Sequence, residues 1–285
     1  MIYSRIFGGL GNQLFQYAAA RAVSLRRGTD LVLDTRLAPS GSHWAYALDH
    51  FNIHARIAEP SELPPGKNQR LGYAMWRLFG RDPKFLREKG LGYQDSIATA
   101  PDGSYLHGYF QSERYFADVL GQMEDELRII TPPDTQNAEY AEKIAKAGHT
   151  VSLHMRRGDY LGTPKSNATY ATCDEAYYLR ALERLSGGRR DLKVFVFSDD
   201  PDWVRDNLKL PYDMTAVGHN GPDKHYEDLR LMSCCSDHVI ANSTFSWWGG
   251  WLDRRPEARV VGPAKWFNDP KLANPDILPE RWIAV

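Results

Sequence analysis

Hydrophobic and polar positions along this chain switch between two periods. Residues 2–7 form a short apolar run, and the turn Gly8-Gly9-Leu10-Gly11-Asn12-Gln13 follows it. Leu14, Phe15, Ala18, Ala22 and Leu25 then share one face at helical spacing, Gly28 stops the helix, and 31–34 reads as a second strand. Strand, glycine loop, helix and strand make a βαβ unit. Further on, Val151, Leu153 and Met155 alternate with Ser152, His154 and Arg156, the period of a half-buried strand. From there the pattern alternates cleanly. A helix over 174–185 is closed by Gly187-Gly188, and 192–198 is an almost continuously apolar strand. Pro201 opens another helix, Asp223 stands ready to cap a helix over 225–233, and 238–241 is a strand. Ser243 opens the next helix, and 260–262 is the last strand. The pattern predicts a doubly wound parallel sheet.

The middle is less regular. Residues 40–102 carry Pro60, Pro64, Pro65 and scattered aromatics, which predicts loops and short helices. A short strand over 107–110, a helix over 112–128 capped by Ser112, and a helix over 137–147 ending at Gly148 follow. A new strand begins immediately afterwards. The expected division is therefore a Rossmann-like N-terminal domain, 1–148, and a Rossmann-like C-terminal domain, 149–285.

Composition narrows the function. Among 285 residues, 42% are hydrophobic and 25% charged, enough to bury a sizeable core. A formal net charge of -1 excludes a protein that binds nucleic acid by bulk phosphate neutralisation, so any anion grip must be local. The eight tryptophans suit either a core or stacking on sugar faces. Cys173, Cys234 and Cys235 form neither a disulfide framework nor a zinc pattern, and a reducing compartment is the simplest setting. No secretory leader or bilayer-length apolar run is present. The expectation is a cytoplasmic protein without a transmembrane segment, compatible with transient contact at the inner membrane surface. In that setting the acceptor patterns at Asn167 and Asn242 carry no glycosylation.

Candidate chemistry gathers at strand ends. His154, Arg156 and Arg157 stand where the 150–156 strand finishes, and in an open α/β sheet ligands bind at that edge. Arginine matches phosphate oxygens two at a time, so the pair reads as a pyrophosphate grip; an Arg157–Asp159 ion pair is the plainer alternative. The N-terminal glycine loop offers backbone N–H groups at another strand end, though it is neither G-x-G-x-x-G nor a P-loop, and a plain tight turn is the alternative. Asn242, Ser243, Thr244, Phe245 and Ser246 open a helix with hydroxyls beside unpaired N–H groups, suited either to phosphate or to capping a core helix. Asp228 and Asp237 are carboxylates able to accept from guanine, or surface and helix-dipole charges.

Four stretches together resemble the bacterial-type α1,2-fucosyltransferases: 8–17, His154-x-Arg156-Arg157-Gly158-Asp159-Tyr160, Phe197-Ser198-Asp199-Asp200 and 242–248. The resemblance runs to about Trp251 and skips 40–101. It implies a GT-B fold, two Rossmann-like domains facing a central cleft, the first acceptor-binding and the second holding the GDP-sugar. It implies an inverting, metal-independent transfer of L-fucose from GDP-fucose to a galactoside hydroxyl, giving an α1,2 linkage on a bacterial surface glycan, with no cofactor. Arg156 would grip the β-phosphate and the departing GDP. His154 and Asp228 would contact guanine, and the 243–246 segment the phosphates. Asn12, with Gly9 and Gly11, would lie near the donor sugar; Arg157, Ser198, Asp199 and Asn242 complete the implied donor site. A related α1,6 branch carries a proposed general-base Glu where this chain has Pro164. Asp159 is the nearest substitute, either as base or as a carboxylate that orients an arginine; otherwise departure of GDP dominates. Readings from other classes are an NAD(P)-linked oxidoreductase, for which the loop spacing is wrong, a non-catalytic nucleotide-sugar-binding module, and a transferase for another GDP-sugar.

Overall fold

The apolar runs pair as parallel strands in two sheets. A computed structural model describes residues 1–41, 44–65, 71–72, 75, 84–157 and 173–285. Contacts divide the chain into Met1–Leu127 and Arg128–Val285.

In the first unit, β1 (Ile2–Phe7) leads through the glycine loop into α1 (Leu10–Arg27) and on to β2 (Leu31–Leu37). Gly28 closes α1 in the left-handed region, φ 61°, where its lack of a Cβ matters, and its N–H returns to Leu25 and Ser24 carbonyls. Then come β3 (Arg56–Ile57), β4 (Lys84–Arg87), α2 (Asp95–Ala98), β5 (Ser104–His107) and α3 (Leu120–Glu126). The strand order is β3-β2-β1-β5-β4, all parallel. Leu14, Phe15, Ala18 and Ala22 are fully buried, as their common helical face requires. Two buried carboxylates are tolerated because each is paired. Asp34 accepts from Arg36 and the Tyr105 hydroxyl; Glu126 accepts from Arg21 and the Tyr17 hydroxyl.

In the second unit, α4 (Thr135–Lys146) precedes β6 (Thr150–Met155), α5 (Glu175–Ser186), β7 (Lys193–Ser198), α6 (Pro201–Asn207) and β8 (Asp213–Val217). These are followed by α7 (His225–Ser233), β9 (Asp237–Val239), α8 (Thr244–Trp251), β10 (Val260–Gly262) and β11 (Ile283–Ala284). The order β11-β10-β9-β6-β7-β8 is again all parallel, with β6 between β9 and β7. Val151, Leu153, Leu182, Val196, Val239 and Val261 share one core.

Several expectations shift. All six residues of β6 are buried, not half of them, because the strand is central and covered on both faces. Ser152 survives there by pairing with His238 Nδ1 at 2.8 Å, whose Nε2 lies 2.9 Å from Asp253. The unit boundary falls at Leu127, not Gly148, because α4 packs on the second unit and is joined to it by Asn137 and Asp134. Strands β3, β4 and β8 are short edge strands whose mostly unburied residues give no period to read. β5 covers 104–107, not 107–110, and the chain beyond it turns away, with Phe110 at φ 54°. Ser112 does accept an N–H, from Arg114, but over a 3-10 turn, and the expected 112–128 helix is broken into two such turns before α3. Asp223 lies within the turn Pro222–Lys224 and does not cap α7. The sheet does not end at β10, since β11 adds beyond it. Trp247, Trp248 and Trp251 are core residues: Trp247 stacks on Trp251, and Trp248 meets both edge-on.

Candidate functional site

The C-terminal edge of the second sheet collects most of the sequence candidates. β6 ends at Met155, so Arg156 and Arg157 leave the sheet there, while α8 starts at the exit of the neighbouring β9. Ser243 sits at the N-cap of α8 in extended conformation, but its hydroxyl caps nothing. Instead Ser243 Oγ accepts from Arg156 Nη1 at 3.3 Å. The N–H groups of the first helical turn and the guanidinium therefore stand together, a combination suited to anionic oxygens.

Arg157 is held from a different strand. Its backbone N–H donates to Asp199 Oδ1 at 2.8 Å, its Nε reaches Asp200 Oδ2 at 3.5 Å, and its guanidinium lies 3.3 Å from the Trp203 ring centre. Asp200 also caps α6 by accepting from the Trp203 N–H, and Ser198 Oγ accepts from the Asp200 N–H. The run Ser198-Asp199-Asp200 thus shapes the β7 exit and positions Arg157. The Arg157–Asp159 pair considered from sequence involves residues outside those described, as do Gly158, Tyr160 and Pro164.

His154 is buried inside β6, and its ring stands 5.7 Å from that of Phe245. Burial, reinforced by the Arg156 charge, pushes its pKa down to about 4, so the ring is neutral at physiological pH. Its Nδ1 has no hydrogen-bond partner among the described residues. Phe245 and Thr244 are half-buried in the first turn of α8, and His225 packs edge-on to Phe245 from α7. One turn beyond His225 comes Asp228, also half-buried. Burial raises its carboxyl to about 7, although Asn220 Nδ2 donates to Oδ1 at 2.8 Å.

Two other candidates turn their polar atoms inward. Ser246 Oγ, almost fully buried, donates back to the Ser243 and Ala241 carbonyls. Asn242 donates to the Trp266 carbonyl at 3.0 Å, and Cys173 Sγ approaches its Oδ1 at 3.6 Å. Both anchor the loop that carries Ser243. Asp237 is at the opposite end of its strand, clamped by Arg259 and His149, and plays a structural part. Residues that sequence reading did not single out include Trp203, Asn137, His219 and Asn220; only the adjacency of Asn220 to His219 hinted at a polar loop.

In the first unit the glycine loop is rigidly built. Gln13 donates to the Gly8 and Ala45 carbonyls, and Gln16 both donates to and accepts from the Phe7 backbone. Gly8 has φ +76°, and a Cβ there would meet Asn12 Nδ2 at 2.9 Å. Asn12 Oδ1 accepts from Gln111 Nε2 at 3.0 Å, which sets the amide's orientation. Gly9 is the N-cap of α1 and lies against the Trp44 ring; Gly11 is buried in the first turn.

Two Rossmann-like units, each with a parallel sheet, define the GT-B type of glycosyltransferase fold. The chain belongs to glycosyl transferase family 11, whose family model matches residues 92–285. It is 31% identical to the alpha-1,2-colitosyltransferase of Escherichia coli, over 100% of this chain and 99% of that one. It is 29% identical to the O-antigen biosynthesis glycosyltransferase WbnK of Escherichia coli, over 93% and 95% of the two chains. A mouse galactoside alpha-(1,2)-fucosyltransferase 1 is 27% identical over 86% of this chain and 61% of its own length. Among solved structures, the alpha-1,6-fucosyltransferase NodZ, co-crystallised with GDP, superposes with a TM-score of 0.54 at 15% identity, covering 88% of this chain and 91% of its own. The NodZ superposition agrees with the fold described above. Among the described residues no helix is long and apolar enough to cross a membrane.

Proposed function

We propose that the chain transfers L-fucose from GDP-fucose to a galactoside hydroxyl, with inversion, to give an α1,2 linkage on a bacterial surface glycan. The observation that carries this reading is the Arg156–Ser243 contact at the exits of two adjacent parallel strands. In this reading the pyrophosphate lies on the first turn of α8 and on Arg156, with Thr244 adding a hydroxyl. Arg156 then neutralises the charge that grows on GDP as the bond from the sugar carbon to the phosphate oxygen stretches. Charge stabilisation aimed at a transition state in this way contributes about 3 kcal/mol, roughly a hundredfold in rate. Asp228 accepts from the guanine N1–H and exocyclic amine, and the neutral His154 adds a hydrogen bond near the base. Arg157, fixed by Asp199, Asp200 and Trp203, supplies a second positive charge.

The reading treats the arginines as the source of positive charge, so neither a metal nor a cofactor is required. Support for the donor comes from the relatives' printed activities and from the sequence resemblance; support for the acceptor class comes from the O-antigen and galactoside enzymes named above. A second donor has a specific observation behind it, the full-length match to a colitosyltransferase. Incubating the full chain with GDP-fucose and GDP-colitose separately, over a panel of β-galactosides, decides between them. An α1,2-fucosylated product is the expected outcome. Transfer from the colitosyl donor alone replaces the donor, and no transfer from either sinks the reading.

A further inference from the structure

Asp228 does not stand alone. Its Oδ1 receives the Asn220 side-chain N–H, while Oδ2 has no partner among the described residues. Asn220 is in turn locked to Asn137 by a reciprocal amide pair. Asn137 Nδ2 donates to Asn220 Oδ1 at 2.9 Å, and Asn220 Nδ2 donates to Asn137 Oδ1 at 3.0 Å. Asn137 is completely buried on α4.

An amide can face either way, so something must set the direction of this pair. Asp134 does so. Its carboxylate accepts from both the backbone N–H and Nδ2 of Asn137, at 2.9 and 3.0 Å. A carboxylate can only accept, so Nδ2 must point toward it and Oδ1 toward Asn220. Asp134 stays ionised because Lys224 Nζ, 2.7 Å away, holds its pKa at about 2. His219 then has one available role toward Asn137 Oδ1, that of donor through Nε2 at 2.9 Å, and burial lowers its pKa while it stacks on Tyr140. Polarity passes from Asp134 through Asn137 to Asn220, and Asn220 is left with a donor aimed at Asp228.

We propose that Asn137 and Asn220 are positioning residues for base recognition: they present Asp228 to the purine with one oxygen already engaged and the other turned outward as acceptor. The proposal rests on the assignment of Asp228 to guanine. The chemistry explains why such a device is needed. A carboxylate accepts from the guanine amide edge only when ionised, and burial opposes ionisation here; the Asn220 N–H favours the charged form. The other charged groups of the packed elements work less directly. Glu227, beside Asp228, disfavours its charge but is itself paired with Arg230 at 2.7 Å; Asp134 is paired with Lys224; burial lowers the pKa of both His219 and His154.

The test is calorimetric titration of the full chain with GDP and with ADP, at about pH 6 and about pH 8, for wild type, Asn220→Ala and Asp228→Asn. Asn220 is half-buried in a loop, so its truncation is milder than that of Asn137. Losing a hydrogen bond to a charged group should weaken GDP binding about tenfold near pH 6 and less near pH 8, with ADP affinity unchanged. Asn220→Asp, which sets a second carboxylate against Asp228, should weaken GDP further. Wild-type GDP affinity in Asn220→Ala, together with loss of affinity in Asp228→Asn, overturns the relay and leaves the guanine assignment standing. An equal, pH-independent loss for GDP and ADP also overturns it, because that is the signature of a generally loosened site. Unchanged GDP affinity in Asp228→Asn overturns both.

Discussion

Arg156 Nη1 donates to Ser243 Oγ across 3.3 Å, joining the end of one strand to the N-cap residue of a helix that follows the neighbouring strand. The serine gives up its ordinary capping bond for this contact. Lysine at 156 keeps the charge but loses the planar fork that can hold Ser243 and a phosphate together. Arg156→Lys should lower turnover about a hundredfold while the fold survives. Ser243→Ala, which removes only the orienting oxygen, should cost about three- to tenfold. Steady-state rates with GDP-fucose check both; near-normal turnover in Arg156→Lys removes the assigned role.

Asp228 makes two pH dependences of opposite sign. Its carboxyl is raised to about 7 in the folded state, above the ordinary aspartate value of 3.8. Between those values the folded chain binds more protons than the unfolded one, so this group lowers folding stability as pH rises through that window. GDP binding, which needs the carboxylate, should instead strengthen as pH rises toward and past about 7. Asp228→Asn should flatten both curves and weaken GDP binding. Urea unfolding and GDP titration over the same pH series measure the two effects.

The positions of these groups were legible in the sequence to different depths. The alternation through Met155 and the apolar run to Ser198 placed both parallel strands, and strand ends in an open sheet located Arg156, Arg157 and Asp199. Strand ends alone do not say which way a polar atom turns. Ser246 and Ser243 look equivalent at a helix start, yet one hydroxyl is used inside the helix and the other meets an arginine. Asn137 and Asn220 are 83 residues apart, and no local period joins them. The same reason hid the attachment of α4 to the second unit, to which the Asn137–Asn220 amide pair contributes across that separation.

The glycine loop permits a conformational test in the first unit. Gly8 has φ +76°, a region costly for other residues, and an added Cβ would press on Asn12. Gly8→Ala should destabilise the fold by about 1–2 kcal/mol and displace the Asn12 amide from Gln111. Thermal unfolding reads the first effect. A full wild-type melting temperature would show that the loop relaxes without strain.

The buried Ser152–His238–Asp253 chain has the residue types of a hydrolytic triad but no access, since Ser152 and His238 are sealed in the core. It serves as a staple between β6, β9 and the segment after α8. Burial alone would raise the Asp253 carboxyl, but hydrogen bonds from His238 and Arg255 hold it at about 2. A depressed carboxyl contributes stability above its unfolded value of 3.8, and that contribution is lost as pH falls toward about 2. Asp253→Asn should lower stability at neutral pH by about 1–3 kcal/mol, the cost of an unsatisfied buried partner, and shrink the acid-induced loss. Denaturant unfolding at neutral and acidic pH compares the two, and no reaction should follow from the serine in any esterase assay.

Transfer should proceed undiminished in excess EDTA. The positive charge proposed to stabilise the departing GDP belongs to Arg156 and Arg157, and neither is removed by a chelator. A rate that falls with EDTA and returns with added magnesium or manganese would assign that task to a metal.

The general base is the last open chemical role. Pro164 cannot accept a proton, and Asp159 follows the arginine pair by two residues. Two tasks were open to Asp159 from the sequence, orienting an arginine or deprotonating the acceptor hydroxyl. The geometry of Arg157 bears on the first. Its backbone N–H is taken by Asp199, its guanidinium meets Asp200 and lies on Trp203, and Arg156 is steadied by Ser243. Both arginines therefore have orienting partners other than Asp159. With those contacts in place, Asp159→Asn should leave GDP affinity within about threefold of wild type, since the remaining hydrogen bonds persist. Turnover should fall by about a hundredfold or more, the usual contribution of a positioned base, and the acidic limb of the pH–rate curve should vanish with the carboxylate. Weakened GDP binding with an unchanged pH profile would instead make Asp159 an orienting residue. Wild-type binding and turnover together would reject both roles and leave Arg156-assisted departure of GDP as the principal chemical contribution.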